Sequence, residues 1–323
     1  MEPSFYSQND LLRQGTMLAN RAKKNYRHRV KHFKRQNVNA FRLYHWDIPE
    51  IRAVVDWYDG HLVVGEYVRT QTEGTPWLET VSQHVAEALD VPQEKVFLKR
   101  RRTRPGTFNR RYEKLANSNE LVTVKEHDLK FYVNLKDYLD TGLFMDHRQT
   151  RQMIRAMATG KNVLNLFGYT GAFTVYAAAG GATQTCTVDL SGKYLGWAEK
   201  NIQLNDLMND RHRLVEMDVL EFLDQATRDQ KLWDLIILDP PSFSTRRDGF
   251  EFDILRDHPS LIRKALGVLN SGGQLLFSSN HRDFEPRFHD LPCDSQELTH
   301  KNMPLDFKNN PVHRSFLLSK KGK

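Results

Sequence analysis

Residues 162–190 of this chain decide the fold of its second half, and they read NVLNLFGYTGAFTVYAAAGGATQTCTVDL. A short apolar strand runs into a turn with two glycines, a helix rich in small residues follows, and a second strand ends at Asp189. Strands and helices continue to alternate at short spacing as far as the segment GGQLLFSSN. This alternation is typical of a parallel sheet covered by helices on both faces.

Polar residues or glycines follow the first three predicted strands, where open α/β sheets bind their ligands. Gly168 and Gly171 flank the first turn; such glycines let a backbone approach a ligand closely, although packing alone also explains them. Asp189 is placed either to accept hydrogen bonds from ribose hydroxyls or to cap the next helix. Asp218 fits an adenine amino group or a helix cap equally well.

The fourth strand exits through a stiff polar segment, Asp239-Pro240-Pro241-Ser242-Phe243. Proline fixes φ and restricts the residue before it, so this exit is predicted to aim a carboxylate into the ligand site. Phe243 offers a flat face on which a base can stack, and Ser242 with Asn280 is placed to contact the base edge. Together the strand ends predict an adenosine site beside a slot for a planar substrate.

Basic residues are concentrated in two clusters. Residues 1–36 hold nine Lys or Arg against two acids, and their net of +7 equals the formal charge of the whole chain. The second cluster, LKRRRTRPGTFNRR, contains no acid. Such clusters attract polyanions, although a single short one is commonly a solvated surface. The cations predicted to bind RNA are Lys23, Lys24, Arg27, Arg29, Arg100, Arg101, Arg102, Arg104, Arg110 and Arg111.

Other features exclude several classes of protein. No apolar run reaches the roughly 18–20 residues of a membrane span, and the first residues do not form a signal peptide, so no membrane partner is predicted. Two cysteines and no CxxC fit a reducing cytoplasm. The histidines are scattered, and His28 and His32 lie on a basic helix without a nearby acid, so no metal site is predicted.

The second half resembles the class I S-adenosylmethionine-dependent methyltransferases, and within them the bacterial 23S rRNA guanine-N7 methyltransferases. These form the C-terminal half of a bifunctional large-subunit rRNA methyltransferase. The resemblance rests on NLFGYTGAFTVYAAAGGA, CTVDLSGKYLGWAEKNIQLN, LDPPSFS and DYLDTGLFMDHR, and it extends from MLANRAKKNYRH to HRSFLLS. The family also carries an N-terminal guanine-N2 methyltransferase module, which is absent from this sequence. Two alternatives stay open: a stand-alone enzyme, for which a separate guanine-N2 module is a candidate partner, or a fragment of a bifunctional protein.

The resemblance implies a fold, a cofactor and a set of site residues. The expected fold is α/β: a Rossmann-like seven-stranded methyltransferase sheet at 141–323, preceded by a basic helix at 1–38 and a small α+β RNA-binding domain at 39–140. The cofactor is S-adenosylmethionine, and the partner is 23S rRNA or a large-subunit assembly intermediate. The residues implied to hold the cofactor are Asp146, Arg148, Asn165, Phe167, Gly168, Gly171, Asp189, Leu190, Asp218, Val219 and Asp239. Arg148 fits the cofactor's carboxylate, although a structural ion pair explains it nearly as well.

The residue types favour methylation of guanine N7 over cytosine C5. C5 chemistry uses a cysteine that forms a covalent adduct, and neither LDPPSFS nor LLFSSNHRDF contains one. Guanine N7 carries a lone pair and no proton, so its methylation needs alignment and no general base. Asp239 is then placed to stabilise the positive charge of the product ring. Because N7 lies in the deep major groove of paired RNA, the target base is expected to be unpaired or extruded.

Three alternatives remain open at the level of sequence. An NAD-dependent oxidoreductase explains Gly168, Gly171 and Asp189, but neither the Asp-Pro-Pro segment nor the basic clusters. A non-catalytic RNA-binding assembly factor predicts RNA binding without methyl transfer. A methyltransferase acting on another atom, such as cytosine C5 or guanine N2, shares every feature except the chemistry of the base.

Overall fold

The computed structural model describes residues 6–101, 115–245, 249 and 251–321. The chain divides into two compact units, one running to Asp128 with Val133–Thr141, and the other comprising Leu129–Tyr132 with Gly142–Lys323. Four residues of the predicted RNA-binding set lie outside the described part: Arg102, Arg104, Arg110 and Arg111. Among the described residues, no helix is both long enough and apolar enough to cross a membrane.

The first unit is a four-stranded sheet packed against two helices. Its elements are α1 (Gln8–Arg35), β1 (Ala40–His45), β2 (Ala53–Tyr58), β3 (His61–Tyr67), α2 (Trp77–Ala88), a 3-10 helix (Gln93–Lys95) and β4 (Val96–Arg101). The strand order is β1-β2-β3-β4; β3 and β4 are parallel because α2 connects them, and the other pairs are antiparallel. Further along the chain, β5 (Val122–Glu126) and β6 (Leu129–Val133) form a two-stranded sheet.

Helix α1 begins at a capping box, in which Ser7 and Asp10 satisfy each other's backbone N–H groups. Its apolar stripe, including Leu18, Ala22 and Phe33, is buried against the sheet and α2. The buried amide of Gln14 accepts a hydrogen bond of 2.7 Å from the indole N–H of Trp77, which ties α1 to α2. Within the segment 1–38, for which a basic helix was predicted, the structure describes a helix from Gln8 to Arg35.

The second unit contains the large sheet. Its elements are a 3-10 helix (Met145–His147), α3 (Arg148–Met157), β7 (Asn162–Leu166), α4 (Ala172–Ala179), β8 (Gln184–Asp189), α5 (Gly192–Leu204), β9 (His212–Glu216), α6 (Val219–Arg228), β10 (Trp233–Leu238), β11 (Phe243–Thr245), β12 (Glu251–Asp253), α7 (Ile254–Gly267), β13 (Leu269–Ser279), β14 (Cys293–Glu297), α8 (Thr299–Asn302) and β15 (Arg314–Lys320). The strand order is β14-β15-β13-β10-β7-β8-β9. The five strands from β13 to β9 are parallel, while β15 pairs antiparallel with β13 and with β14.

Helices cover both faces of this sheet, and this explains why β10 is apolar along most of its length. Leu235 and Ile237 pack in one cluster with residues of α3 and α4, whereas Ile236 and Leu238 pack in another with residues of α6 and α7. Successive side chains of a strand point to opposite faces, so a strand covered on both sides is apolar throughout. The predicted α/β class with seven strands is confirmed.

The sequence did not predict β11 and β12. These two strands of three residues each pair antiparallel directly after the Asp-Pro-Pro segment, with Phe243 opposite Asp253. Such short strands carry too few residues for a detectable alternation. Phe243 therefore belongs to a paired strand, and its exposure is intermediate.

Candidate active site

The sheet reverses its order between β7 and β10. From β7 the chain builds outward through β8 and β9, and it then returns to add β10 on the other side of β7. In open α/β sheets, ligands bind at the carboxyl ends of the strands on either side of such a reversal. The loop from Phe167 to Gly171 leaves β7 at this point, and Asp239 follows β10. The fold thus brings two separate sequence signals to one edge.

The two glycines of the β7–α4 loop are required by close packing. A Cβ on Gly168 would lie 2.2 Å from Cγ2 of Thr187, and one on Gly171 would lie 2.7 Å from Cβ of Ala198. Gly171 also has φ +73° as the residue before α4, a conformation that glycine adopts without strain. The packing interpretation of these glycines is therefore supported, and it brings the loop close to β8 and α5.

Asp189 connects this loop to the end of β8. Its Oδ2 accepts a hydrogen bond from the backbone N–H of Tyr169, and its Oδ1 accepts one from the N–H of Ser191, both at 2.9 Å. Burial is the main cause that raises the pKa of Asp189, and these two N–H groups act in the opposite direction. Ser191, and not Asp189, caps α5. Each carboxylate oxygen can accept more than one hydrogen bond, so this arrangement fits a ribose diol.

Three other residues of the predicted cofactor set, Asp218, Val219 and Leu190, differ in their contacts and in their exposure. Asp218 caps α6 by accepting from the N–H groups of Leu220 and Glu221, so the capping interpretation is confirmed; contact with adenine stays a prediction. The side chain of Val219 is 2% exposed and belongs to the core, which leaves its backbone for any ligand contact. Leu190, in contrast, is 57% exposed beside Asp189.

Two further members of the predicted cofactor set, Asn165 and Phe167, lie on β7 and in the loop that follows β7. Asn165 is buried in β7, and its amide donates to Oγ1 of Thr174 at 2.9 Å. Phe167 has φ +55° and packs partly against the core, which turns the chain sharply as it leaves β7.

The Asp-Pro-Pro segment is held by the end of β13. Oγ of Ser278 donates to Oδ1 of Asp239 at 2.6 Å, and Oγ of Ser242 donates to Oδ1 of Asn280 at 2.6 Å. Ser242 is buried, Asn280 is exposed, and the carboxylate of Asp239 keeps 28% of its side chain exposed. The structure thus places three of the predicted catalytic side chains on two neighbouring strand ends: Asp239, Ser242 and Asn280.

Residues 144–148 carry charged side chains, of which only Asp146 and Arg148 were assigned a role from the sequence. Asp146 is buried, and its Oδ2 lies 2.7 Å from Nδ1 of His313. Arg148 is fully buried and donates to Asp306 at 3.1 Å, which is the structural ion pair that the sequence left as an alternative to cofactor binding. His313 and Asp306 were not singled out from the sequence, because their partners Asp146 and Arg148 lie more than 150 residues away along the chain. His147 was missed as well, because only the fold brings it beside His313 and Asp239.

Both cysteines are distant in the sheet from this edge. Cys186 is in the middle of β8, where it pairs in register with Leu164, and Cys293 begins β14 opposite Lys320. Burial raises the pKa of Cys186 to about 11 and also raises the pKa of Cys293. Neither thiol therefore has the reactive thiolate character of a nucleophile.

The cations of the first unit fall into two groups. Lys24 and Arg27 are exposed on α1, whereas Arg29 is half-buried and donates to the backbone carbonyls of Arg42 and Leu43 at 2.6 and 3.1 Å. At the end of β4, both Arg100 and Arg101 have carboxylate partners, Glu79 at 2.6 Å and Asp140 at 2.8 Å. Exposed cations without such partners are better suited to phosphate, because no intramolecular ion pair has to break.

Comparison with known proteins agrees with this geometry. The chain is 39% identical over an alignment of 328 residues to the ribosomal RNA large subunit methyltransferase K/L of Vibrio cholerae, covering 97% of this chain and 46% of that protein. It is 41% identical over 307 residues to the ribosomal RNA large subunit methyltransferase K of Neisseria meningitidis, covering 93% of this chain and 86% of that one. The chain thus spans about half the length of the K/L relatives.

A solved structure and a family match complete the comparison. The crystal structure of SMU.776 complexed with SAH superposes with a TM-score of 0.76 at 26% identity, over 95% of this chain and 81% of that one. Residues 41–304 match the family described as S-adenosylmethionine-dependent methyltransferase. The close-packed glycine loop, the carboxylate of Asp189 as an acceptor for ribose hydroxyls and the exposed Leu190 fit this cofactor. The chain belongs to the S-adenosylmethionine-dependent methyltransferase family, and its cofactor is S-adenosylmethionine.

Proposed function

We propose that this protein transfers a methyl group to N7 of a guanine in 23S rRNA, without a covalent intermediate between enzyme and RNA. The relatives named above act on ribosomal RNA, which supports the class of substrate. The choice of N7 rests on the side chains at the strand ends. The carboxylate of Asp239 and the amide of Asn280 lie there, whereas both cysteines of the chain lie elsewhere in the sheet. N7 of guanine carries a lone pair and no proton, so a site of this kind can methylate it by alignment alone.

The roles proposed for the cofactor and for the site residues follow from the contacts described above. S-adenosylmethionine, when bound, supplies the methyl group. Asp239, held by Ser278, faces the ring that becomes cationic, and Phe243 is proposed to stack on that ring. The exposed cations of α1 are proposed to bind phosphates of the rRNA. The large-subunit rRNA, free or within an assembly intermediate, is the proposed partner, and a guanine-N2 methyltransferase module is a further proposed one.

The decisive experiment identifies the product. The protein is incubated with undermodified 23S rRNA and labelled cofactor, and the modified nucleoside is identified by mass and chromatography. We expect 7-methylguanosine. N2-methylguanosine or 5-methylcytidine as the product would show that another base atom is methylated. RNA binding without any methyl transfer would favour an assembly factor.

Removing both cysteines tests the absence of a covalent intermediate. We expect the double variant Cys186→Ala, Cys293→Ala to transfer methyl groups within about twofold of the wild-type rate, since only C5 chemistry requires a thiolate. The rate is measured at saturating RNA, and a thermal unfolding midpoint verifies that both proteins are folded. A folded double variant without activity would contradict the proposed chemistry.

Asn280 gives a test of base specificity. Because Ser242 holds its carbonyl oxygen, the Asn280 amide presents N–H donors away from Ser242. Because the lone pair of N7 attacks the methyl group, the acceptor that guanine offers to these donors is O6, where adenine has an amino donor instead. Asn280→Asp keeps the size and the contact to Ser242 but loses the donors, so we expect kcat/KM on guanine to fall by about 10- to 100-fold.

The matched control is Asn209→Asp on the exposed turn before β9, which adds the same charge away from the strand ends. It should leave kcat/KM unchanged. Equal rates for the Asn280 variant and the control would show that Asn280 does not contact the base.

A further inference from the structure

His147 is a buried histidine in a fixed orientation. It ends the 3-10 helix before α3 and is 5% exposed. One face of its ring stacks on the ring of His313, with centroids 3.8 Å apart and an angle of 17°, and Phe173 of α4 packs edge-on at 5.5 Å. These contacts restrain rotation of the ring, so its nitrogens keep constant directions.

Nε2 of this ring lies between two carboxylates. It is 3.7 Å from Oδ2 of Asp239 and 3.9 Å from Oδ2 of Asp146. The other oxygen of Asp239 accepts the hydrogen bond from Ser278, so the two oxygens of the carboxylate face different neighbours. Burial is the main cause that lowers the pKa of His147 to about 4, so the ring is neutral at neutral pH. A neutral ring with its proton on Nε2 directs an N–H dipole at Asp239 without neutralising the carboxylate.

The same groups do not have the geometry of a metal centre. Ligand atoms of Asp146, His147 and His313 lie within 4.8 Å of one another. However, Nδ1 of His313 and Oδ2 of Asp146 are already joined at 2.7 Å, and the two rings are nearly parallel. Imidazoles that share a tetrahedral ion approach it along different directions. The cluster is better described as a hydrogen-bonded support behind Asp239.

We propose that His147 is a positioning residue, which acts on methyl transfer by fixing the orientation of the Asp239 carboxylate. This inference rests on the proposed role of Asp239 in the reaction. The separation of 3.7 Å is longer than a hydrogen bond, and such contacts often tighten only when the substrate is bound. His313 and Asp146 support the ring of His147 from behind, and Ser278 holds the opposite oxygen of Asp239.

Two variants of His147 separate positioning from packing. The amide nitrogen of His147→Gln reaches the place of Nε2 and keeps a donor, whereas His147→Leu fills the space without one. We expect His147→Leu to lower kcat by about 10- to 100-fold with the KM for the cofactor within about twofold, and His147→Gln to recover most of that loss. Equal losses in both variants would assign His147 to packing alone and overturn the proposal.

A double-mutant cycle shows whether His147 acts through Asp239. In the background of Asp239→Asn, His147→Leu should change kcat by less than about twofold, because there is no carboxylate left to position. Losses that simply multiply would overturn the proposal. If His147→Leu does not fold, His147→Phe replaces it in both tests, since a phenyl ring keeps the stack on His313 and carries no donor.

Product identity is recorded in the same reactions, so the two proposals can fail separately. A methylated nucleoside other than 7-methylguanosine, with the coupling intact, would refute the N7 assignment and leave the positioning role. A 7-methylguanosine product without coupling would refute the positioning role alone. A wild-type protein that transfers no methyl group would refute both.

Discussion

Replacing Asp239 by alanine is expected to lower kcat for methyl transfer by about 100-fold or more, because a preorganised charge next to the reacting ring is removed. N7 carries no proton, so the carboxylate is not needed as a base. Its effect comes from the positive charge that the guanine ring gains during the reaction. A fixed anion near that ring stabilises the transition state more than the neutral ground state, and such differential binding raises kcat.

Asp239 was also predicted to contact the cofactor. A second substitution, Asp239→Asn, separates the effect of its charge on kcat from an effect on cofactor binding. Asp239→Asn keeps the size and a hydrogen-bond acceptor for Ser278 but removes the charge. If the charge is what matters, the Asn variant loses nearly as much kcat as the Ala variant, while cofactor affinity measured by calorimetry changes little. A loss confined to cofactor affinity would assign Asp239 to binding alone.

Asp294→Ala provides the control for removal of a carboxylate. Asp294 lies on β14, and its side chain is 79% exposed. The variant should keep full activity and full stability. Near-normal activity of the Asp239 variants would contradict the proposed role of this carboxylate.

The sequence predicted the large sheet well because its signals are local. The central strands β7 and β10 are covered on both faces, so each contains a short apolar run, and the glycines and acids lie at the ends of the strands they mark. The positions of Asp189 and Asp239 at strand ends could be predicted for this reason. The two-stranded β11–β12 hairpin was missed because three residues show no period.

Contacts between residues far apart in the chain could not be predicted. Arg148 appears as a cation next to an acid in the sequence, and nothing local indicates that its partner is Asp306. In the same way, Arg29 appears as one cation among many until the structure shows it bonded to the carbonyls of β1. His147 becomes interpretable only when the fold brings His313 and Asp239 beside it.

The second large effect is expected on α1, where one face is lined with cations. We define the α1 stripe as Lys24, Arg27, Lys31 and Arg35, which are all exposed and spaced by three or four residues. Such spacing places them on one side of the helix. No Asp or Glu occurs between residues 20 and 35. Nearer the start of the helix, Arg13 and Arg21 instead have acidic partners, Glu50 at 2.7 Å and Asp47 at 3.7 Å.

Replacing all four stripe residues by glutamine is expected to weaken RNA binding by about 100-fold or more at 0.1 M salt, because each neutralised phosphate contributes through counterion release. The slope of log K against log salt concentration should become shallower by about 3, at roughly 0.7–0.9 for each phosphate that the variant no longer neutralises. Binding is measured by fluorescence anisotropy on a labelled rRNA fragment between 50 and 200 mM salt. Thermal unfolding should be unchanged, because the exposed stripe lies opposite the buried face of α1.

The control must separate a local binding surface from net charge. Lys95, Lys200, Arg228 and Lys301 are four exposed cations that are scattered along the chain. Replacing them by glutamine changes the net charge by the same amount but removes no continuous stripe. If α1 binds the phosphates, the control keeps most of the affinity and most of the salt slope. If both variants lose equal affinity, attraction depends on total charge, and α1 has no special role in holding the RNA.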